Sequence, residues 1–190
     1  TQFSLDDFKV YLEWHILNPS ASFLSSKFVN DNFNFYGKFF SGQKELKPRW
    51  RRVLDVISGT RGEALGQIYV EKYFPPEYKQ RARELVENVR AALRNRIQNL
   101  DWMSSQTKKN AIEKLDKMTI KVGYPDKWRD YTNLKIDKKS YFGNLISSRK
   151  FGFDYNMSKL GKPVDKLEWH MTPQTVNAYY DPVNNEIVFP

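Results

Sequence analysis

After Pro75-Pro76 the chain sets Ala82, Leu85, Val86, Val89, Leu93, Ile97 and Leu100 at three- and four-residue steps, with Arg and Glu filling most of the other positions. That period is helical, and a run of this length offers one long apolar stripe to its neighbours and keeps the opposite face in water. Proline suits its start, because the first N–H groups of a helix have no intrahelical partner. A chain of 190 residues built around such a helix must cover its stripe with other helical faces or with a sheet.

The same period recurs on both sides. Ser4-Leu5-Asp6-Asp7 predicts a capped helix start with acids in the first turn, followed by Phe8, Tyr11, Leu12 and Ile16. Asn18-Pro19 is expected to interrupt or bend that helix. A second apolar stretch carries Phe23, Leu24, Phe28, Phe35, Phe39 and Phe40 and closes at Gly42. Pro48-Arg49-Trp50 opens a short helical face of Val53, Leu54 and Ile57, which Ser58-Gly59 is expected to separate from another helix between Gly62 and Phe74. Beyond the long helix, Asp101-Trp102-Met103-Ser104 starts one whose apolar face is Ala111, Ile112, Leu115 and Met118.

Near Ile120 the character changes. Residues 121–126 read as turn chemistry, and a helix is expected near Tyr141–Lys150. Gln174 to Tyr180 is rich in strand formers, Asp181 to Asn185 reads as a turn, and Glu186 to Phe189 as a return strand. The fold expected is mainly α: a multi-helix portion over residues 1–120, then a short mixed segment over 121–190 that ends in a β-hairpin.

Composition narrows the chemistry. The absence of cysteine excludes disulfides, cysteine-ligated zinc and a thiol nucleophile. The two histidines, His15 and His170, are far apart, and neither begins a His-Glu-x-x-His motif. His15 reads as a structural histidine on a helix; His170 reads the same way, with pocket lining as the alternative. No metal ligand is expected. The net charge of +9 comes from basic residues interleaved with acids, which favours solvated helix faces over a nucleic-acid surface. No apolar run is long enough to span a membrane, and the opening Thr1-Gln2-Phe3-Ser4 has no leader pattern.

Several segments together carry a resemblance: Pro48-Arg49-Trp50-Arg51-Arg52; Leu65-Gly66-Gln67-Ile68-Tyr69-Val70-Glu71; Asp101-Trp102-Met103; Thr107-Lys108-Lys109-Asn110-Ala111; Glu113-Lys114-Leu115; Gly123-Tyr124-Pro125-Asp126; Val176-Asn177-Ala178-Tyr179-Tyr180; and Asn185-Glu186-Ile187-Val188-Phe189-Pro190. In this order they resemble the neprilysin-like zinc endopeptidases, which include the endothelin-converting enzymes and bacterial homologues. The resemblance implies a fragment of a zinc-dependent enzyme that hydrolyses short peptides. The helices would form part of a lid that admits flexible peptides, with the lid boundary near residues 119–125. The family's His-Glu-x-x-His zinc site lies beyond Pro190 in the family order, so no catalytic residue, no bound zinc and no cleavage are expected of these 190 residues alone.

Within the fragment, the resemblance assigns substrate contact to Asn177, Ala178 and Tyr179, on an edge strand along which a peptide lies extended. The aromatic residues Phe33, Phe35, Tyr36, Phe39 and Phe40 are expected to fill the lid core rather than line its cavity. The expected partners are peptide substrates and the rest of the same polypeptide. Animal members place cysteine after the Trp-Arg-Arg run, where this chain has Val53. That departure implies a bacterial, disulfide-free member in the periplasm, in the cell envelope or outside the cell. The reading kept beside it is a non-catalytic helical interaction or peptide-binding module.

Overall fold

The computed structural model describes residues 3–190; Thr1 and Gln2, at the head of the expected helical portion, lie outside the described residues. The fold is mainly α, 59% helical, with six α-helices and one three-stranded sheet among the described residues. The elements are α1 (Leu5–Ser20), α2 (Ser26–Asn32), α3 (Arg49–Tyr73), α4 (Pro76–Gln98), α5 (Ser105–Asp116), β1 (Thr119–Val122), α6 (Tyr141–Met157), β2 (Tyr179–Asp181) and β3 (Glu186–Phe189). The chain forms two compact units. One holds the residues up to Val56 with Leu134–Asp154; the other holds Ile57–Asn133 with Tyr155–Pro190.

In the first unit the expected cap is present. Ser4 Oγ accepts from the Asp7 N–H at 3.2 Å, and Asp7 Oδ2 accepts from the Ser4 N–H at 2.8 Å, so two orphan donors are satisfied reciprocally. Pro19 does not break α1 where expected. The helix runs on to Ser20, whose hydroxyl donates to the Ile16 carbonyl at 2.6 Å. Residues Phe33–Phe40 form a wide π-helical segment, with the Ser41 N–H reaching back five residues to Tyr36 at 3.2 Å. The rings of Phe35, Tyr36, Phe39 and Phe40 pack against one another, partly edge-to-face and partly stacked. They do not form the expected core, because all four are exposed, Phe39 by 77%. α1 likewise presents Phe8, Leu12, Trp14 and Ile16 to solvent.

In the second unit, α4 begins with Pro76 in its first turn, as expected, and packs against α5 and β1. Arg90 Nη2 donates to the Asp116 carbonyl at 3.0 Å, and Arg94 pairs with the Asp116 carboxylate, which ties α4 to the end of α5. The sheet has the order β1-β3-β2. β3 runs parallel to β1, with Thr119 opposite Glu186 and Val122 opposite Phe189, and antiparallel to β2, with Tyr179 opposite Val188 and Asp181 opposite Glu186. Val188, in the centre, has no solvent exposure. The expected hairpin is therefore present, with two corrections. A parallel strand, β1, occupies residues read as the edge of a turn region. The strand before the turn is confined to Tyr179–Asp181, so Asn177 and Ala178 lead into it rather than belong to it.

α3 is kinked at Arg61 (φ −139°, ψ 34°), where the backbone leaves helical geometry, so it consists of two helical runs that meet just past Ser58-Gly59, and the second starts near Gly62 as expected. Just beyond, Gly62 and Gly66 are buried and form a bare stripe on the helix. A Cβ on Gly62 would strike Thr172 Cγ2, and one on Gly66 would meet Pro173 Cδ at 2.9 Å. Gln174 Nε2 donates to the Gly62 carbonyl at 3.1 Å. The missing side chains thus let residues 172–174 lie directly on the helix. Gly62→Ala is expected to destabilise the chain by about 1–3 kcal/mol through overpacking. Adding Thr172→Ser, which deletes Cγ2 and keeps a hydroxyl for Thr175, is expected to recover most of that loss; urea denaturation of the two variants measures both.

Candidate peptide-binding edge

The segment from Glu168 to Asp181 is held on the second unit at successive points. Lys121 Nζ donates to the Glu168 carbonyl at 2.7 Å and to Glu186 Oε2 at 2.6 Å. Both side chains of that ion pair are buried. Glu168 also receives Lys159 and lies 3.7 Å from Arg129. The Arg129 guanidinium stacks 4.1 Å over Tyr155 and sits 3.5 Å from Glu63. Trp169 is buried, and the His170 N–H donates to the Tyr179 hydroxyl at 3.3 Å. The Thr175 N–H then bonds to Thr172 O at 2.9 Å, and the Asn177 N–H to Thr175 O at 3.1 Å. Two tight turns on the glycine stripe thus deliver the chain to β2.

β2 is an edge strand, with β3 on one side and no strand on the other among the described residues. Leading into it, Val176 is fully exposed, and Asn177 and Ala178 are exposed. Asn177 Oδ1 accepts from the Ala178 N–H at 2.8 Å; its Nδ2 group makes no hydrogen bond among the described residues. The hydroxyl of Tyr180 donates to Asn185 Oδ1 at 3.0 Å. Asn185, in the left-handed region at φ 51°, donates from Nδ2 to the Lys114 carbonyl at 2.9 Å.

Asp181 accepts from the Val183 N–H at 2.8 Å and from Asn184 Nδ2 at 2.8 Å. These bonds, the backbone one first, hold its carboxyl below the usual carboxylate range. Burial holds the Tyr179 phenol above its ordinary value; the His170 N–H opposes this, and the charges of Glu186 and Asp181 add to it.

The expected substrate residues Asn177, Ala178 and Tyr179 are therefore consecutive on one approach to one edge. Tyr179, however, turns its hydroxyl to His170 rather than to open solvent. His170 borders a cavity of about 470 Å³ with Glu63, Arg129 and Trp169. His15 lies on α1, 4.2 Å from the Tyr11 ring. The two histidines do not form the pair, one helical turn apart, that a His-Glu-x-x-His zinc site needs. The residues present do not fit that catalytic ion. Lys121, Glu186 and the glycine stripe are the supports that sequence reading missed. Gly62 and Gly66 stand four residues apart and the Thr172-Pro173 pair more than a hundred positions later, so nothing local signalled their contact.

Residues 1–125 match the family model described as peptidase family M13. The chain belongs to peptidase family M13. Among M13 relatives, neprilysin-3 of Drosophila melanogaster is 35% identical over 187 residues, covering 95% of this chain and 24% of its own length. Endothelin-converting enzyme 1 of Homo sapiens is 32% identical over 190 residues, with 95% and 24% covered. Among solved M13 structures, the Mycobacterium tuberculosis zinc metalloprotease Zmp1 in complex with an inhibitor superposes with a TM-score of 0.89 at 43% identity, over 98% of this chain and 28% of that one. PepO from Lactobacillus rhamnosis gives 0.83 at 28% identity, over 99% and 30%. The chain spans about a quarter of the length of the curated relatives it matches. The resemblance to neprilysin-like enzymes read from the motifs is thus shown.

Lys121→Met would leave Glu186 charged, buried and without its cation, and is expected to cost about 3–5 kcal/mol. Lys121→Met with Glu186→Leu is expected to recover most of that stability, because both desolvated charges are then gone; thermal and urea unfolding of the single and double variants decide it. At the turn, the Val183 amide shift should titrate with Asp181 at a midpoint below the usual value of about 3.9. The lowered carboxyl stabilises the hairpin at neutral pH, and this contribution is lost as pH falls through that lower midpoint.

Proposed function

We propose that this chain is part of a zinc-dependent endopeptidase that hydrolyses short peptides, and that it supplies lid helices and a substrate-contacting edge rather than the zinc site. The observation that carries the reading is the open edge of β2, approached by the exposed Asn177 and Ala178 in a chain of family M13. An extended peptide laid along such an edge satisfies main-chain donors and acceptors regardless of its side chains. The Asn177 amide suits a substrate backbone because it offers both a donor and an acceptor. Its free Nδ2 group supports that role, while its Oδ1 must exchange the Ala178 N–H for the ligand.

In this reading residues 1–120 serve the lid and 121–190 begin the catalytic portion. The other partner is the remainder of the same polypeptide. The uncovered aromatic rings of Phe35, Tyr36, Phe39 and Phe40 support this, in a chain a quarter as long as its relatives. A bacterial source is supported by the 43% identity to the mycobacterial structure, and with it goes a periplasmic, cell-envelope or extracellular location.

The test is Asn177→Ala in the complete enzyme, assayed on a short fluorogenic peptide. Loss of a backbone-anchoring bond is expected to lower kcat/KM by about fivefold or more, corresponding to about 1 kcal/mol. A change within about twofold would remove Asn177 from the substrate site. Peptide binding without turnover in the zinc-loaded complete protein would favour the non-catalytic peptide-binding module instead.

A further inference from the structure

His170, Asp181 and Glu186 come together at the base of the hairpin, each offering one ligand atom, with these atoms within 4.8 Å of one another. The register explains the carboxylate pair: Asp181 and Glu186 are direct partners across β2 and β3. The bond from the His170 N–H to the Tyr179 hydroxyl brings the imidazole to the same corner, with the two rings 6.1 Å apart.

A second, independent observation concerns Glu186. The residue is 1% exposed. Its Oε2 takes the Lys121 ammonium at 2.6 Å, but its Oε1 is buried without a hydrogen-bond partner. The Tyr179 hydroxyl lies beside the Glu186 carboxylate, whose charge and hydrogen-bonding contact add to burial in holding the phenol up; no donor among the described residues reaches Oε1 in regular hydrogen-bond geometry. A buried carboxylate oxygen in a protein interior normally has a partner. Here Lys121 offsets only one of the two carboxylates beside the imidazole.

We propose that His170, Asp181 and Glu186 bind a divalent transition-metal ion of the zinc type. One imidazole nitrogen with two carboxylate oxygens suits such an ion better than magnesium or calcium, which take oxygen ligands alone. Three protein ligands leave a position for water. The ion would clamp the segment at His170 to both strands of the hairpin, holding the edge strand from behind. It is separate from the family's catalytic zinc, since no His-Glu-x-x-His pair contributes to it, and it does not depend on the peptidase reading. The clamp needs no new fold, because Asp181 keeps its turn bonds through lone pairs that a carboxylate has to spare.

The experiment is a titration of the 190-residue chain with Co²⁺, followed by visible absorption and then by competition with Zn²⁺. The expected result is one ion per chain, displaced by Zn²⁺ and not by Mg²⁺, with a melting temperature that rises with Zn²⁺ concentration. His170 is exposed, so His170→Ala leaves the fold unchanged by circular dichroism, and it should weaken Co²⁺ binding by about tenfold or more. Asp181→Asn should weaken it as well. Glu186→Gln is avoided as the main test, because it also disturbs the Lys121 pair. No Co²⁺ absorption in the unaltered chain, or equal affinity in the unaltered chain and His170→Ala, would overturn the site. Neither result bears on Asn177, whose test is peptide turnover.

Discussion

The ammonium of Lys121 fastens three stretches of chain that are far apart in sequence: β1, which carries it; β3, through Glu186; and the segment at Glu168, through a main-chain carbonyl. A buried charge is tolerable only when it is paired and its remaining hydrogen-bonding capacity is met. This requirement sets the strand register. With Thr119 opposite Glu186 and Lys121 opposite Val188, Lys121 and Glu186 are diagonal neighbours on one face. A slip of one residue would put them on opposite faces and leave two unpaired charges without water. The same slip would turn Val188, which has no solvent exposure, to the other face. The ion pair and the apolar pattern therefore specify one alignment.

From that alignment the position of the edge follows. β3 is saturated by β1 and β2, which are the two edges of the sheet among the described residues, and β2 is the edge that Asn177 and Ala178 lead into. The path into it is fixed by close approach rather than by large side chains. Residues 172–174 lie on a helix surface from which two side chains are missing, and the chain makes two short turns, over 172–175 and 175–177, before reaching Ala178. A strand offered to a ligand has to be held from behind, since misplacement by an ångström is enough to spoil a reacting geometry. Here the hold comes from Lys121, from the bond between Tyr179 and His170, and from the glycine stripe, none of which takes up the open side.

Much of this architecture was legible in the residues themselves. The helical stripes of α4 and α5, the Ser4 and Ser104 caps, the proline start of α4 and the terminal hairpin all follow from local chemistry: periodicity, an N-cap hydroxyl, a missing N–H and a turn of Asp, Pro and Asn. β1 was not legible. Its four residues include a lysine, its partner lies more than sixty positions away, and Gly123 directly after it signals a turn. That signal was itself correct: Gly123 has φ +76°, and a Cβ there would meet Phe74 at 2.7 Å. Ser58-Gly59 signalled a break, and α3 kinks two residues later, at Arg61, before the helical run that starts at Gly62. The candidate substrate residues were found through resemblance; the pattern of β-formers alone extended the strand too far, to Gln174. His170, Asp181 and Glu186 have no motif spacing at all. Only the hairpin register and a hydrogen bond to Tyr179 bring them to one place.

The two oxygens of Glu186 do different work, and this links the fold to the edge. Oε2 serves the register through Lys121. Oε1, on the same carboxylate, is buried without a hydrogen-bond partner in a residue that the hairpin register places beside a histidine and a second carboxylate. If Glu186 were present only to pair with Lys121, any arrangement that satisfied both oxygens would be more stable than this one, because an unsatisfied buried acceptor costs about 1–3 kcal/mol. A cation at Oε1 removes that penalty and at the same time joins the His170 segment to β2 and β3. The same group that aligns the sheet then also determines how firmly its edge strand is held.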